Sequence, residues 1–523
     1  MSTEKRVLFY ILFISSFSLF AQTQIDGDLL LLSELTIEKS PLIQRNALNI
    51  DQAEANFQSQ RSAFDYQLSS GYNISKNKLT LFDADPRSQL LTGNLETNNT
   101  DFSIGLQKRF RTGTILDLRS SYSQTADNFP ANRFGEQVGA DISDQASSAT
   151  IALTQPLLRG NGVKVTTAFE KSARLDIESA RQNFELNSAF ELSQMAKAYW
   201  QYLGAFKSLT IFEENENRVR NVLEITQELV KADKKPESDL AQIKADLANQ
   251  ERQTTTAEQN LYNTKVNLGR IVGLSEEESA NIGDPRNDFP TLLESKFTKE
   301  NKSQALIELA RINRTDVRAQ ENTTKALELQ LIAAKNSKLP QLDLTGFLTY
   351  GGAAIGGGFG QYLNAFSNKP GRNHTAGLGL TFSLPLNNNL AKANYLKSKI
   401  ALNDQQIAYT NLIRNIDLNV SIAINNLDNS VLILEKAEET LTYYQEVFSN
   451  EQVKFQNGLT TLLNLILFQE RLTFAELEYL RAQQQFATAI IDLRFETGTL
   501  FFINENGVAS TMNKLIFYTI PNN

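Results

Sequence analysis

Apolar and polar positions along this chain follow two different periods. Short stretches alternate with period two. Phe64, Tyr66, Leu68, Tyr72 and Ile74 are interleaved with Asp65, Gln67, Ser69, Gly71 and Asn73. Leu342, Leu344, Leu348 and Tyr350 are interleaved with Asp343, Thr345 and Thr349, and Leu378, Leu380, Phe382 and Leu384 with Gly377, Gly379, Thr381 and Ser383. Successive side chains of a strand point to opposite faces, so these segments have one apolar and one polar face. Segments of about ten residues with this dyad pattern mark outer-membrane strands; a half-buried soluble sheet alternates in the same way.

The other period is helical. The stretches 163–232 and 390–456 contain no proline and predict helices of roughly 100 Å at 1.5 Å per residue. Ordinary globular helices average about 11–12 residues, so these are outliers. Ala189, Leu192, Ala196, Tyr199, Leu203 and Phe206 form a heptad seam in the first. Leu427, Val431, Leu434, Leu441, Tyr444, Phe448 and Phe455 form one in the second. Such seams pack helix on helix with knobs in holes. Asp233-Lys234-Lys235-Pro236 breaks the first helix, with Ser238 or Asp239 as cap of the next. Asn457-Gly458 breaks the second, with Thr460 or Thr461 as cap. The returning helices, 239–273 and 461–498, each close on a glycine, a common helix terminator.

The order of elements occurs twice. Residues 22–300 read as helix, strands, long helix and half-length helix; residues 301–500 read the same way, with strands at 341–350 and 375–386, and 501–523 form a C-terminal segment. Such self-similarity bears on the whole fold. The first copy holds 47 more residues between its outer strands than the second, from the offsets of Phe64 to Pro340 and Pro156 to Pro385. That insertion contains a predicted hairpin, 101–124, turning at Arg111-Thr112-Gly113. Polar loops at 76–100 and 124–147 flank it. Gly351 to Gly360 is glycine-rich but lacks the Gly-Lys-Ser/Thr ending of a phosphate loop. It predicts a flexible connection between two strands, with His374 at its end.

Residues 1–21 read as a signal peptide: Lys5 and Arg6 precede an apolar run from Val7 to Phe20, and Ala21 precedes the cut. An N-terminal anchor is the other reading, but no further apolar run of about 20 residues follows. A chain that crosses a membrane without one does so as a β-barrel. The net charge is −8, with 51 Lys and Arg against 59 Asp and Glu, which argues against nucleic acid as a partner. There is no cysteine and one histidine. Disulfides and thiolate chemistry are thereby excluded, and multi-histidine metal sites nearly so. No catalytic constellation or cofactor motif is present. The carboxylate pairs Glu213-Glu214 and Glu438-Glu439 read as solvated helix faces.

The ordered set of these features resembles the TolC-like outer-membrane efflux protein family. Local patterns carry the resemblance: Arg314-Thr315-Asp316-Val317, Leu339-Pro340-Gln341-Leu342, Gln155-Pro156-Leu157-Leu158-Arg159-Gly160 and Gly458-Leu459-Thr460-Thr461. The resemblance implies a mixed α and β membrane protein: a trimeric transmembrane β-barrel continuous with a long periplasmic coiled-coil tunnel, internally duplicated. It implies an outer-membrane location, and a passive duct for efflux or type I secretion rather than an enzyme. A periplasmic adaptor would link it to an inner-membrane RND, ABC or MFS transporter. Residues 273–300 and 498–523 would form a belt around the tunnel. By position, Asp239, Asn464 and Phe455 would stand at the periplasmic gate. Lys234, Lys235, Pro236, Gly458, Thr460 and Thr461 would form the adaptor-docking tips. Asn464 replaces a usual carboxylate and Phe455 a frequent tyrosine, which weakens the cation attraction of a pore ring and removes a hydroxyl latch. A structural or adhesive coiled-coil envelope protein is the alternative from another class.

Overall fold

In the computed structural model the described residues are 25–85, 88, 94–128, 143–295, 303–355, 360–367, 372–501 and 513–521. The signal peptide expected at 1–21 lies outside them. The elements run α1 (Leu29–Lys39), α2 (Pro41–Arg61), β1 (Tyr66–Thr80), β2 (Asn94–Arg109), β3 (Ile115–Asp127), β4 (Ser143–Pro156), α3 (Val163–Thr166), α4 (Ala168–Lys231), α5 (Ser238–Val272), α6 (Glu276–Ala280), α7 (Leu292–Ser295), α8 (Ser303–Asn313), α9 (Thr315–Asn336), β5 (Gln341–Ile355), α10 (Gly360–Ser367), β6 (Arg372–Ser383), α11 (Asn389–Gln456), α12 (Leu462–Glu496) and α13 (Leu515–Tyr518). Helices α4 and α11 have 64 and 68 residues, and each is followed by a helix of 35. No helix of the described residues is long and apolar enough to cross a membrane.

The chain forms two compact units, and each draws on both halves of the sequence. One comprises Met1–Ala47, Phe184–Thr315 and Arg414–Asn523; the other comprises Leu48–Asn183 and Asp316–Ile413.

The second unit carries a single sheet in the order β1-β2-β3-β4-β5-β6, antiparallel at every pairing. The inserted hairpin is an integral part of it: β2 and β3 pair with each other and separate β1 from β4. Register is unbroken, so the alternation read along each strand continues across strands. Leu68, Leu106, Leu118, Ile151 and Leu348 form one row, and Ser69, Gly105 and Arg119 belong to the opposite face. The turn Arg111-Thr112-Gly113 is tied to the start of α4. Arg111 donates to Glu170 from Nε at 2.9 Å and from Nη2 at 2.5 Å. Gly113 has φ +99°, and a Cβ there would lie 2.3 Å from the Gly160 carbonyl oxygen, so only glycine fits the turn.

Strand pairing extends further than the alternation indicates. Residues 76–80, 94–100, 124–127 and 143–147, expected in loops, belong to strands. Their polar sequence hides them, because backbone pairing continues where both faces are polar. Gly351–Ile355 likewise extend β5, and His374 lies within β6 opposite Tyr350, not in a loop. The expected strand at 375–386 therefore begins earlier and ends at Ser383. After four residues outside the described set, α10 folds back onto the apolar face of the sheet. The Tyr362 ring meets Tyr122 edge-on at 6.1 Å, and its hydroxyl is 2.5 Å from Ser120 Oγ. Phe366 stacks on Tyr350 at 6.2 Å. Under this helix lie polar side chains of that same apolar face: Gln145 and Ser147 are buried, and Tyr122 donates to Gln145 at 2.8 Å. Next to it is an apolar hollow lined by Leu68, Ile104, Leu118, Ile151, Leu348 and Tyr350.

The first unit is helical. Its main core gathers the heptad seam of α4, with Leu192, Ala196, Tyr199 and Leu203 all buried, around Trp200. Phe289, Phe517 and Tyr518 from the segments after α5 and α12 close over it. Buried hydroxyls then tie those segments down. Tyr199 donates to the Gly27 carbonyl at 3.1 Å, Tyr202 to Gly283 at 3.1 Å and Tyr518 to Asp288 at 2.7 Å. Arg494 reaches the Thr519 carbonyl and hydroxyl, both at 2.6 Å, and its burial lowers the guanidinium pKa to about 10. Buried polar groups need such partners, so these bonds fix the connecting segments in place.

Candidate functional site: the paired helix reversals

The sequence places its candidate residues at two reversals, α4 to α5 and α11 to α12. Both turns use one backbone device. At the first, Asp233 N–H donates to the Val230 carbonyl and Lys234 N–H to Leu229. At the second, Gly458 N–H donates to Phe455 and Leu459 N–H to Lys454. The returning helices close identically, at Gly273 with Leu274 and at Gly498 with Thr499. This is the Schellman arrangement, which needs a left-handed residue just past the helix. Three of the four positions are glycine; the fourth is Asp233, with φ 55°. The glycine missing from the first tip is thus replaced by an aspartate in the same conformation.

Beyond the turns the helices restart differently. Thr461 is the N-cap of α12 and accepts from Asn464 N–H at 3.2 Å. Neither Ser238 nor Asp239 caps α5. Its N-cap is Glu237, whose side chain makes no capping bond, and Ser238 already begins the helix. Pro236 supplies the geometric start instead, its carbonyl accepting from Asp239 N–H at 3.1 Å.

The two reversals are in contact. Lys235 Nζ donates to the Thr460 carbonyl at 2.8 Å and lies 5.2 Å from the Phe455 ring centre. Phe455 itself is fully buried, in a core with Val219, Val222, Ile243, Leu462 and Leu465. It holds the tip together from within instead of presenting its ring at the surface. Thr460 hydroxyl donates to the buried Glu451, which also accepts from Lys454 at 3.2 Å. Thr460 first and Lys454 second hold the Glu451 carboxyl below the usual carboxylate range. Asn464 is exposed in the first turn of α12, and Asp239 is half-buried in the first turn of α5. Lys234, Pro236 and Gly458 are exposed, and a Cβ on Gly458 would meet nothing within 4 Å. The structure therefore joins Lys235, Thr460 and Phe455, and leaves Asp239 and Asn464 reachable by solvent.

Farther from the turns, a buried amide bridge crosses three helices. Asn215 donates to Gln250 at 2.9 Å and accepts from Gln469 at 3.0 Å. Arg218 donates to Glu476 at 2.8 Å beside it. These residues carry no pattern legible in sequence, since an amide on a helix reads as solvated until its partner is known.

The chain thus combines a sheet with one apolar and one polar face and long helices that reverse at two paired tips. Residues 306–499 match the family model described as "Outer membrane efflux protein". A curated protein of Haemophilus influenzae is 24% identical over 403 residues, 74% of this chain and 79% of its own. Among solved structures, the Vibrio cholerae outer membrane protein VceC superposes with TM-score 0.63 at 13% identity, covering 90% of this chain and 96% of its own. The Campylobacter jejuni CmeC outer membrane channel gives 0.62 at 13%, covering 90% and 85%. The open-state Neisseria gonorrhoeae MtrE outer membrane channel gives 0.59 at 15%, covering 90% and 89%. The efflux-protein match thus falls on residues 306–499, and the fold over nine-tenths of the chain is that of outer membrane channels.

Proposed function

We propose that three copies of this chain form one passive export duct: a shared β-barrel in the outer membrane and a shared periplasmic helical tunnel, built from two structural repeats. Cleavage of residues 1–21 would deliver it there. The observation that carries this reading is an apolar stripe on α11 that its own chain leaves uncovered. Leu396, Ile400, Ile407, Leu418, Ile422 and Ile433 are all exposed, spaced by 4, 7, 11, 4 and 11 residues. Eleven residues are close to three turns of an α-helix, so steps of 4, 7 and 11 keep these residues on one side of a nearly straight helix. An apolar helix face in water needs a partner. The duct has no catalytic step of its own, so an inner-membrane RND, ABC or MFS transporter supplies the energy through a periplasmic adaptor. That adaptor docks at Lys234, Lys235, Pro236, Gly458, Thr460 and Thr461. Cargo is small molecules or a type I secreted protein. Segments 273–300 and 498–523 form a belt around the tunnel. Asp239 and Asn464 ring the periplasmic entrance, and Phe455 stiffens it from inside each protomer. The family match supports no adhesive role.

The test is the oligomeric state of Ile407→Asp with Ile422→Asp. Native mass measurement of the purified protein should show trimers for the parent chain and monomers for the double variant. A parent chain that is monomeric in every detergent would overturn the reading.

A further inference from the structure

The apolar face of the sheet ends differently at its two borders. On β1 the register puts Tyr66, Leu68, Tyr72, Ile74, Lys76 and Lys78 on one face, with Lys108, Leu106, Phe102 and Glu96 of β2 beside them. From Tyr66 to Lys76 is ten residues, roughly 34 Å along a strand. Tilted by about 35–45°, that run spans roughly 24–28 Å of depth, the height of the apolar band on a membrane barrel. Where β1 leaves α2, Lys108 is engaged within the chain: its Nζ donates to the Phe64 carbonyl and lies 4.0 Å from the Tyr66 ring centre. At the far border Lys76 and Lys78 share one carboxylate, their Nζ atoms 2.6 and 3.4 Å from Glu96. Two ammonium groups against one carboxylate leave one positive charge, on side chains 61% and 59% exposed. Glu96 is fixed by its backbone, which donates to the Asn128 side chain at 2.9 Å and accepts from Asn128 N–H at 3.1 Å. Below the lysines the same face is apolar and open. Tyr72 and Ile74 are exposed, and Phe102 lies opposite Tyr72. This track leads to the hollow beside α10, reached at Ile104 opposite Ser70. Ser70 is six residues from Lys76, roughly 20 Å along the strand. At the same tilt that is roughly 15 Å of depth, one leaflet of a hydrocarbon core about 30 Å thick.

We infer that Lys76 and Lys78 bind the phosphate of an outer-leaflet lipid, whose acyl chain runs along Ile74, Tyr72 and Phe102 and ends in the hollow beside α10. Lysines at the rim of an apolar surface extend their ammonium groups to the headgroup level, and ammonium-to-phosphate hydrogen bonds are of the strong, charge-assisted kind. Glu96 holds the two ammonium groups side by side. The occupant is an amphiphile because charge and hollow lie one leaflet apart on one face. A free phosphate would use only the first, and a detached hydrocarbon only the second. The inference rests on the outer-membrane barrel proposed above, with β1 rising from the periplasmic side, and its test separates the two.

Full-length protein stripped of lipid in detergent is titrated with diphosphorylated lipid A and with the same lipid after removal of its phosphates. Bound lipid per chain is counted by native mass measurement. The parent chain should hold the phosphorylated lipid about fivefold more tightly, the effect of one net charge at a headgroup surface. Lys76→Gln combined with Lys78→Gln should abolish that preference, and Glu96→Gln should enlarge it. Leu118→Trp, which fills the hollow, should weaken both lipids alike. Equal binding of the two lipids by the parent, or a preference that survives the double lysine variant, would overturn the headgroup site. Unchanged binding in Leu118→Trp would overturn the path of the acyl chain. Displacement of the lipid by millimolar inorganic phosphate would overturn the lipid in favour of the free anion. Because lipid is counted per chain, the readout does not depend on trimer formation. Heat-modifiable migration on gels tests the barrel separately: a parent chain that lacks it sinks the barrel, and one that shows it without the lipid preference sinks the lipid site alone.

Discussion

At the scale of single residues, the tips show how a backbone requirement can be met by an unexpected side chain. Four helices close with the same pair of hydrogen bonds, and only Asp233 does so without glycine. An L-residue in the left-handed region costs about 1–2 kcal/mol, less for aspartate than for branched residues. Asp233→Gly should therefore stabilise the first tip by up to about 1 kcal/mol, read as slower amide exchange at Asp233 and Lys234. Glu451 gives a pH signature. Its folded pKa is depressed by Thr460 and Lys454. Its stabilisation is therefore complete above the ordinary glutamate value of about 4.3 and is lost as pH falls through the lower folded value. The stability advantage of the parent chain over Glu451→Gln should vanish over that acid range. An advantage that persisted to lower pH would show that the carboxylate contributes nothing as an anion.

At the scale of elements, the contact between the two reversals distinguishes residues that hold the tip from residues available to something else. Phe455→Ala removes a fully buried ring and should cost about 3–5 kcal/mol locally, seen as earlier proteolysis at the reversals. Asp239→Ala touches no packing and should leave that proteolysis unchanged while raising ion leak through reconstituted channels. Unchanged conductance would remove Asp239 from the entrance. The long helices and both breaks were legible in sequence, because heptad spacing and proline or glycine breaks act locally. The pairing of Lys235 with Thr460, 225 residues apart, and the Asn215-Gln250-Gln469 bridge were not, because each depends on which helices come together. The polar ends of the strands were missed for a related reason. Alternation reports burial on one face, and it fades where neither face is apolar although backbone pairing continues.

At the scale of the whole molecule, the chain divides its structural support between two compact units. The single tryptophan, Trp200, is buried in the core of the helical unit. Its fluorescence should follow unfolding of that unit alone. The sheet, with its 15-residue strands β1 and β5, should be followed by heat-modifiable migration on gels. We expect two separate midpoints on heating in detergent, with tryptophan emission shifting to the red first. One coincident transition would mean the units unfold cooperatively.

Helix α10 sets an order of events in biogenesis. The face it lies on is apolar in its central rows, yet Ser120, Tyr122, Gln145 and Ser147 sit beneath it. Bare amide and hydroxyl groups facing acyl chains would each cost several kcal/mol. The helix is therefore a roof that has to be in place before that stretch of wall meets lipid. Insertion of the proposed barrel would then wait on the docking of one eight-residue segment between the last two strands of the sheet, and damage to the Tyr362 and Phe366 contacts would appear as a defect in delivery to the membrane while the finished duct conducts normally.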